Sequence, residues 1–244
     1  CSSCGKGQVA TGVTANACSP CASNKFQELS VSQVYSCKSC PAGYQFVSTV
    51  SPCADCAAGK YQSQNVQTTS AATCKFCAAG TGYVDKVSIC TSCASGKFQS
   101  SNAVGGASCT TCSQGKFYVD KATPCKTCTS GRYQSENTVL NAICKTCDRG
   151  QSASDVTSPC SACVTGKFQE LPISLVHGCK FCAVGFAFVS QVSACAECTN
   201  GKYQNENNVL SVTCKSCNAG RFASSKSVGC QACSTGTFQD QAAA

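Results

Sequence analysis

Residues 21–27 read CASNKFQ, and the phrase returns as CAAGKYQ (56–62), CASGKFQ (93–99), CTSGRYQ (128–134), CVTGKFQ (163–169), CTNGKYQ (198–204) and CSTGTFQ (233–239). Six of these seven copies carry Gly where the first carries Asn24. The position is the third residue after the second cysteine of a C-x-x-C pair. The chain has fourteen such pairs, and the other thirteen place Gly7, Gly43, Gly59, Gly80, Gly96, Gly115, Gly131, Gly150, Gly166, Gly185, Gly201, Gly220 and Gly236 there. Gly reaches positive φ without steric cost, and Asn is the non-Gly residue that tolerates the left-handed region best. The pattern therefore predicts a turn after every pair. A glycine kept for catalysis or for cradling phosphate gives no reason for one such exchange among fourteen parallel copies.

All 28 cysteines of the 244 residues fall into these pairs, a composition that means a disulfide scaffold or a metal protein. There is no Met, no Trp and a single His177, and Ser, Thr, Gln and Asn fill most of the space between pairs, so no conventional hydrophobic core is expected. The segment opens on Cys1 without a charged or apolar leader, so a secretion signal is expected to have been removed or to lie outside it. Its apolar stretches fall well below the ~18 residues of a transmembrane helix, and no membrane span is expected here. The net charge of +8 is spread as a dotted line, with Lys38, Lys75, Lys126, Lys145, Lys180 and Lys215 each inside C-K-x-C. Without an aromatic-interleaved basic cluster this argues against nucleic acid and leaves an acidic glycan as a candidate partner.

Steps between pairs alternate short and long, giving a unit of about 35 residues. The repeats run 1–36, 37–73, 74–108, 109–143, 144–178, 179–213 and 214–244, the last truncated. Each has a short half such as CAVGFAFVSQVSAC (182–195) and a long half such as CTNGKYQNENNVLSVTC (198–214). A second order shows in the long-half aromatic, which alternates Phe26, Tyr61, Phe98, Tyr133, Phe168, Tyr203, Phe238. A third order relates NKFQELSVSQVYSCKSC to GKFQELPISLVHGCKFC 142 residues later, a super-repeat of four units. Units that meet neighbours at regular angles in a filament would impose different contacts on alternate and on every fourth unit. The hierarchy thus argues for self-association, although duplication of a four-unit block leaves the same trace.

Short β-prone runs such as Tyr44 to Val47 and Phe186 to Val189 are bounded by Gly, Ser, Asn and Pro, and no window sustains a 3.6-residue apolar period. Hairpin half-units with little or no helix are expected. The long-half spacing C-x2-C-x15-C-x2-C also fits a zinc pattern. Against zinc, only Cys4-Gly5 has the glycine that zinc knuckles place after the second cysteine, and the polar residues stand in no register suited to a second shell. A polar, core-poor chain is what an oxidising compartment permits, so disulfides are preferred and no metal or other cofactor is expected. Four cysteines still permit three pairings, and spacing alone leaves them open.

The phrase C-x-x-G-x-[FY] followed by C-x-x-C resembles the simplest submodule of tumour necrosis factor receptor ectodomains and the related ephrin-receptor-like cysteine-rich repeats, over essentially the whole chain. A compositional likeness to the C-x-x-C surface proteins of protists stands beside it. The receptor resemblance implies an elongated tandem ladder in which the second cysteine of one pair joins the first of the next. Carried over by position, it implies Cys4 with Cys18, Cys21 with Cys37, Cys40 with Cys53, Cys56 with Cys74, Cys77 with Cys90, Cys93 with Cys109 and Cys112 with Cys125. It continues with Cys128 and Cys144, Cys147 and Cys160, Cys163 and Cys179, Cys182 and Cys195, Cys198 and Cys214, and Cys217 and Cys230. Cys1 and Cys233 would pair outside the segment. The receptors' three-bridge modules with interleaved cysteines are absent, a departure that counts against ligand binding.

The aromatic after Gly-Lys is expected as a small plug over its cystine, with the stem of Lys25, Lys60, Lys97, Arg132, Lys167 or Lys202 lying over the ring. His177 has no counterpart in the other block, which has Tyr35 there. No phosphate loop, carboxylate pair or calcium loop occurs, so no catalytic residue and no enzymatic activity are expected. None of the eleven Asn residues begins an N-x-[ST] acceptor; Asn16-Ala17-Cys18 is at most a rare variant, and O-linked glycan is left open. Two functions fit: an extracellular structural protein that assembles into a surface filament, hair or coat, or a receptor or adhesin that uses the ladder as a stalk. The second would grip on Leu29 to Ser36 or Leu171 to Gly178, the most apolar long-half loops.

Overall fold

The structure is a computed structural model, and it describes residues 3–10, 17–31, 36–66, 70–129, 131–172 and 178–240. Cys1, Asn16, Ile173 and His177 lie outside the described residues. No helix forms among the described residues; instead there are nine two-stranded antiparallel sheets and four long halves whose pairing narrows to a single bridge. Counted together they make thirteen serial hairpins, one per disulfide.

The second strand of every hairpin falls inside a C-x-x-C. Tyr44–Gln45 pairs with Ala54–Asp55 between Cys53 and Cys56, Lys202–Tyr203 pairs with Lys215–Ser216 between Cys214 and Cys217, and Phe26 bridges Lys38 between Cys37 and Cys40. The first strand leaves the left-handed turn. At all fourteen turns the residue after the left-handed position donates its N–H, at 3.0–3.2 Å, to the carbonyl of the residue after the cysteine. That bond with positive φ at the third place is the signature of a type II turn. The β-prone runs are cut to two residues, because Phe46 and Phe188 turn their N–H groups out of the hairpin to Ala72 and Val212 carbonyls of the neighbouring long half, both at 2.8 Å.

Thirteen disulfides join the second cysteine of one pair to the first of the next, from Cys4–Cys18 to Cys217–Cys230, over separations of 13 to 18 residues. The tertiary structure supplies a reason for this choice among the possible pairings. An extended strand rises about 3.3 Å per residue, so the two cysteines of one pair stand ~10 Å apart, beyond the ~7 Å that a disulfide spans. Cys233 is the one described cysteine without a bridge.

The chain gathers into two compact units: Cys1–Cys112 with Tyr118–Cys125 and Val139–Asn141, and Ser113–Phe117 with Lys126–Thr138 and Ala142–Ala244. Each holds a small apolar cluster. In the first, Phe26, Cys40 and Ala72 are buried against Tyr44, Phe46 and Cys53; in the second, Phe168, Cys182 and Val212 are buried against Phe188 and Cys195.

Candidate functional site

The recurring construction with the densest set of buried polar contacts is the joint between successive repeats. Its hinge pin is the residue after the long-half aromatic, glutamine in all seven copies. Gln27, Gln62, Gln99, Gln134, Gln169 and Gln204 are each no more than 7 % exposed, whereas Gln239, with no repeat after it in this segment, is only half-buried. Each polar atom of a buried amide that is left unbonded costs free energy. The glutamine carbonyl accepts the N–H of the preceding short half's left-handed glycine, as in Gly43 to Gln62 and Gly185 to Gln204, both 2.7 Å. Its N–H donates onward to a carbonyl in the next repeat's short half: Gln27 to Thr49, Gln62 to Lys86 and Gln99 to Lys121 in the first compact unit, Gln134 to Val156, Gln169 to Gln191 and Gln204 to Lys226 in the second, at 2.9–3.0 Å.

The glutamine side chain bends its own loop. Its Oε1 accepts the N–H two residues on in all six buried copies, from Leu29, Gln64, Ser101, Glu136, Leu171 and Glu206. In the first and fifth repeats Nε2 also donates upstream, from Gln27 to the Gly5 and Gln8 carbonyls and from Gln169 to those of Asp148 and Gln151. In the second, third and fourth the glutamine Nε2 has no partner among the described residues, and the upstream link is made by an asparagine three residues further: Asn65, Asn102 and Asn137 accept the N–H of Ala42, Ala79 and Gln114.

All fourteen turn positions lie in the left-handed region, from φ 71° at Asn24 to 94° at Gly166. The short-half glycines of the first six repeats and three of the long-half glycines also form the joint's second contact. A methyl group built on Gly7 or Gly150 would lie 2.9 or 2.8 Å from Cγ1 of Val50 or Val192 in the next short half. On Gly59, Gly96 or Gly166 it would lie 2.1, 2.3 or 2.4 Å from the backbone nitrogen of Gly106, Asn141 or Ser211, each three residues before the closing cysteine of the next long loop. Those three residues are themselves left-handed, with φ 65°, 53° and 54°.

Asn24 faces a different successor. The next long loop, Cys56–Cys74, spans 18 residues where every other long loop spans 16, and Ala71, three before its closing cysteine, is not left-handed. The one turn with a side chain thus precedes the one lengthened loop.

The aromatics sit less deeply than the glutamines. Phe26 and Phe168 are buried, Tyr61, Phe98, Tyr133 and Tyr203 are half-buried, and Phe238 is 84 % exposed. The amide is thus the deeper plug in every long half that has a successor, and the ring expected there is buried beside it only at Phe26 and Phe168. Of the Gly-Lys lysines, Lys60 lies 4.5 Å from the Phe76 ring and Lys167 4.2 Å from that of Phe181, each inside a C-K-F-C rather than the ring next in sequence. Over Phe26 and Phe168 stand Lys38 and Lys180 of the paired strand. These hold Glu28 and Glu170 at 2.8 Å, and that hydrogen bond lowers both carboxyl pKa values. The sequence carried a signal for the joint, since glutamine follows the aromatic seven times of seven, but nothing in it tells a buried amide from the solvated glutamines around it.

No helix among the described residues is long and apolar enough to cross a membrane. No family model matches the chain, and no curated protein is significantly similar to it.

Proposed function

We propose that this chain is an extracellular structural protein, without enzymatic activity, whose cystine-stapled repeats self-associate into a surface filament, hair or coat. The observation that carries the reading is the joint. Each of the first six repeats commits its short-half left-handed glycine and a buried glutamine to its successor, an arrangement that lets units add in series and makes stability a sum of nearest-neighbour terms. Thirteen bridges belong to an oxidising compartment, which supports a place outside the cell. Exposed ion pairs recur at matching places of the two four-repeat blocks, Lys38–Glu28 with Lys180–Glu170 and Lys86–Asp55 with Lys226–Glu197. Such pairs add little stability, so their recurrence supports a surface pattern that a neighbouring copy reads.

Electron microscopy of the oxidised protein at high concentration tests this. The expected result is a filament or array whose contacts recur every two or four repeats; isolated monomers without recurring contacts overturn it. A second reading, an adhesin or receptor stalk, is favoured by the exposed apolar residues Leu29, Val31 and Leu171. It requires a monomeric protein whose partner is lost on Leu29→Ser and Leu171→Ser. An acidic glycan stays a secondary partner of the basic surface.

A further inference from the structure

We propose that the ladder is polarised toward thiols: the first cysteine of each C-x-x-C is the site at which a small-molecule thiol adds, and the second cysteine of the preceding pair is the sulfur it releases. The proposal rests on burial and strand pairing and is independent of the filament reading. In all thirteen bridges one cysteine is buried and the other half-buried, and the buried one is always the second of its pair. Cys40 is 0 % and Cys198 1 % exposed, while their partners Cys53 and Cys214 are half-buried. Thiol–disulfide exchange requires the attacking thiolate to reach one sulfur in line with the other, so access decides which sulfur is attacked. At Cys179 the outward side is visibly polar, with the Ser152 hydroxyl 3.3 Å from its Sγ.

At the Cys40–Cys53 rung the step balances as follows. A thiolate RS⁻ bonds to Cys53 Sγ, the Cys40–Cys53 bond breaks, and the electron pair leaves on Cys40 Sγ, which takes a proton from solvent; nothing is oxidised or reduced overall. The new Cys40 thiol has a neighbouring cystine three residues upstream, Cys37–Cys21. Attack there would make a Cys37–Cys40 bond and pass the break toward the N-terminus rung by rung. The strand pairing blocks it: Lys38, between the two cysteines, exchanges both backbone hydrogen bonds with Phe26 at 2.9 Å and keeps the segment extended. An opened rung therefore stays single.

The test uses the whole oxidised chain with any pre-existing free thiol alkylated. It is exposed to limiting reduced glutathione, quenched in acid, alkylated with a second reagent and mapped by mass spectrometry without reduction. Native single adducts are expected to carry glutathione on first cysteines and the second alkyl group on the preceding second cysteines, at least tenfold over the reverse, and guanidinium should bring the two towards equality. The proposal is overturned by an even native distribution, by a preference that survives guanidinium, by bonds within C-x-x-C pairs as the main products, or by no native adducts at all.

Discussion

Gln27 and Gln62 occupy the same place in successive repeats but carry different loads, which gives the joint a residue-scale test. Gln27 Nε2 donates to three carbonyls and its Oε1 accepts the Leu29 N–H, whereas among the described residues the Gln62 side chain has a partner only on Oε1, at Gln64. Leaving a buried polar group unpaired costs about 1–3 kcal/mol. Gln27→Leu is therefore expected to lower the local opening free energy by about 3 kcal/mol and Gln62→Leu by about half that, read from hydrogen exchange of the Gly7 and Gly43 amides that bond these residues. The same-sized loss at both sites would show that the side-chain bonds do not matter. Asp155 offers a second test. Its carboxylate accepts the Thr157 hydroxyl and N–H and the Ser158 hydroxyl and N–H, and these bonds, led by the Thr157 hydroxyl, lower its pKa to about 2. A carboxyl depressed in the folded state stabilises above its unfolded pKa of about 3.9 and loses that contribution as pH falls through the folded value. The turn should stay closed at pH 4 and open as pH approaches 2; a carboxyl NMR titration with its midpoint near 4 would show the turn to be absent.

At the scale of the element, loop length and turn residue form a coupled pair. Gly96 meets the backbone of Leu140 and Asn141, so Gly96→Asn forces main chain apart and is expected to cost about 1–3 kcal/mol, as overpacking does. Asn24→Gly, before the longer loop, should change stability by less than about 1 kcal/mol. Denaturation of the oxidised protein compares the two, and equal effects would sink the coupling. Fourteen left-handed positions were legible in the sequence because φ > 0 restricts residue type severely. The 18-residue loop was equally visible, but its relation to Asn24 was not, because the two lie in different repeats and meet only through folded packing.

For the whole molecule, the nearest-neighbour character of the joints predicts that damage stays local. Replacing Cys77 and Cys90 by Ser removes one rung, worth about 3 kcal/mol for a loop of this size. Exchange protection is expected to fall around residues 74–108 and to persist around Phe168 and Val212; collapse of protection throughout would mean a single cooperative fold. The sequence by itself determined the hairpin half-unit, its turns and the lack of helix among the described residues, since each depends on a few neighbouring residues and recurs often enough to be read from spacing alone. It left open which cysteines pair and which residue fills each half. Those were decided by tertiary structure: strand pairing stretches the described C-x-x-C segments beyond bonding reach, and only the successor repeat supplies the carbonyl and the cover that allow a glutamine to be buried more deeply than the neighbouring aromatic ring.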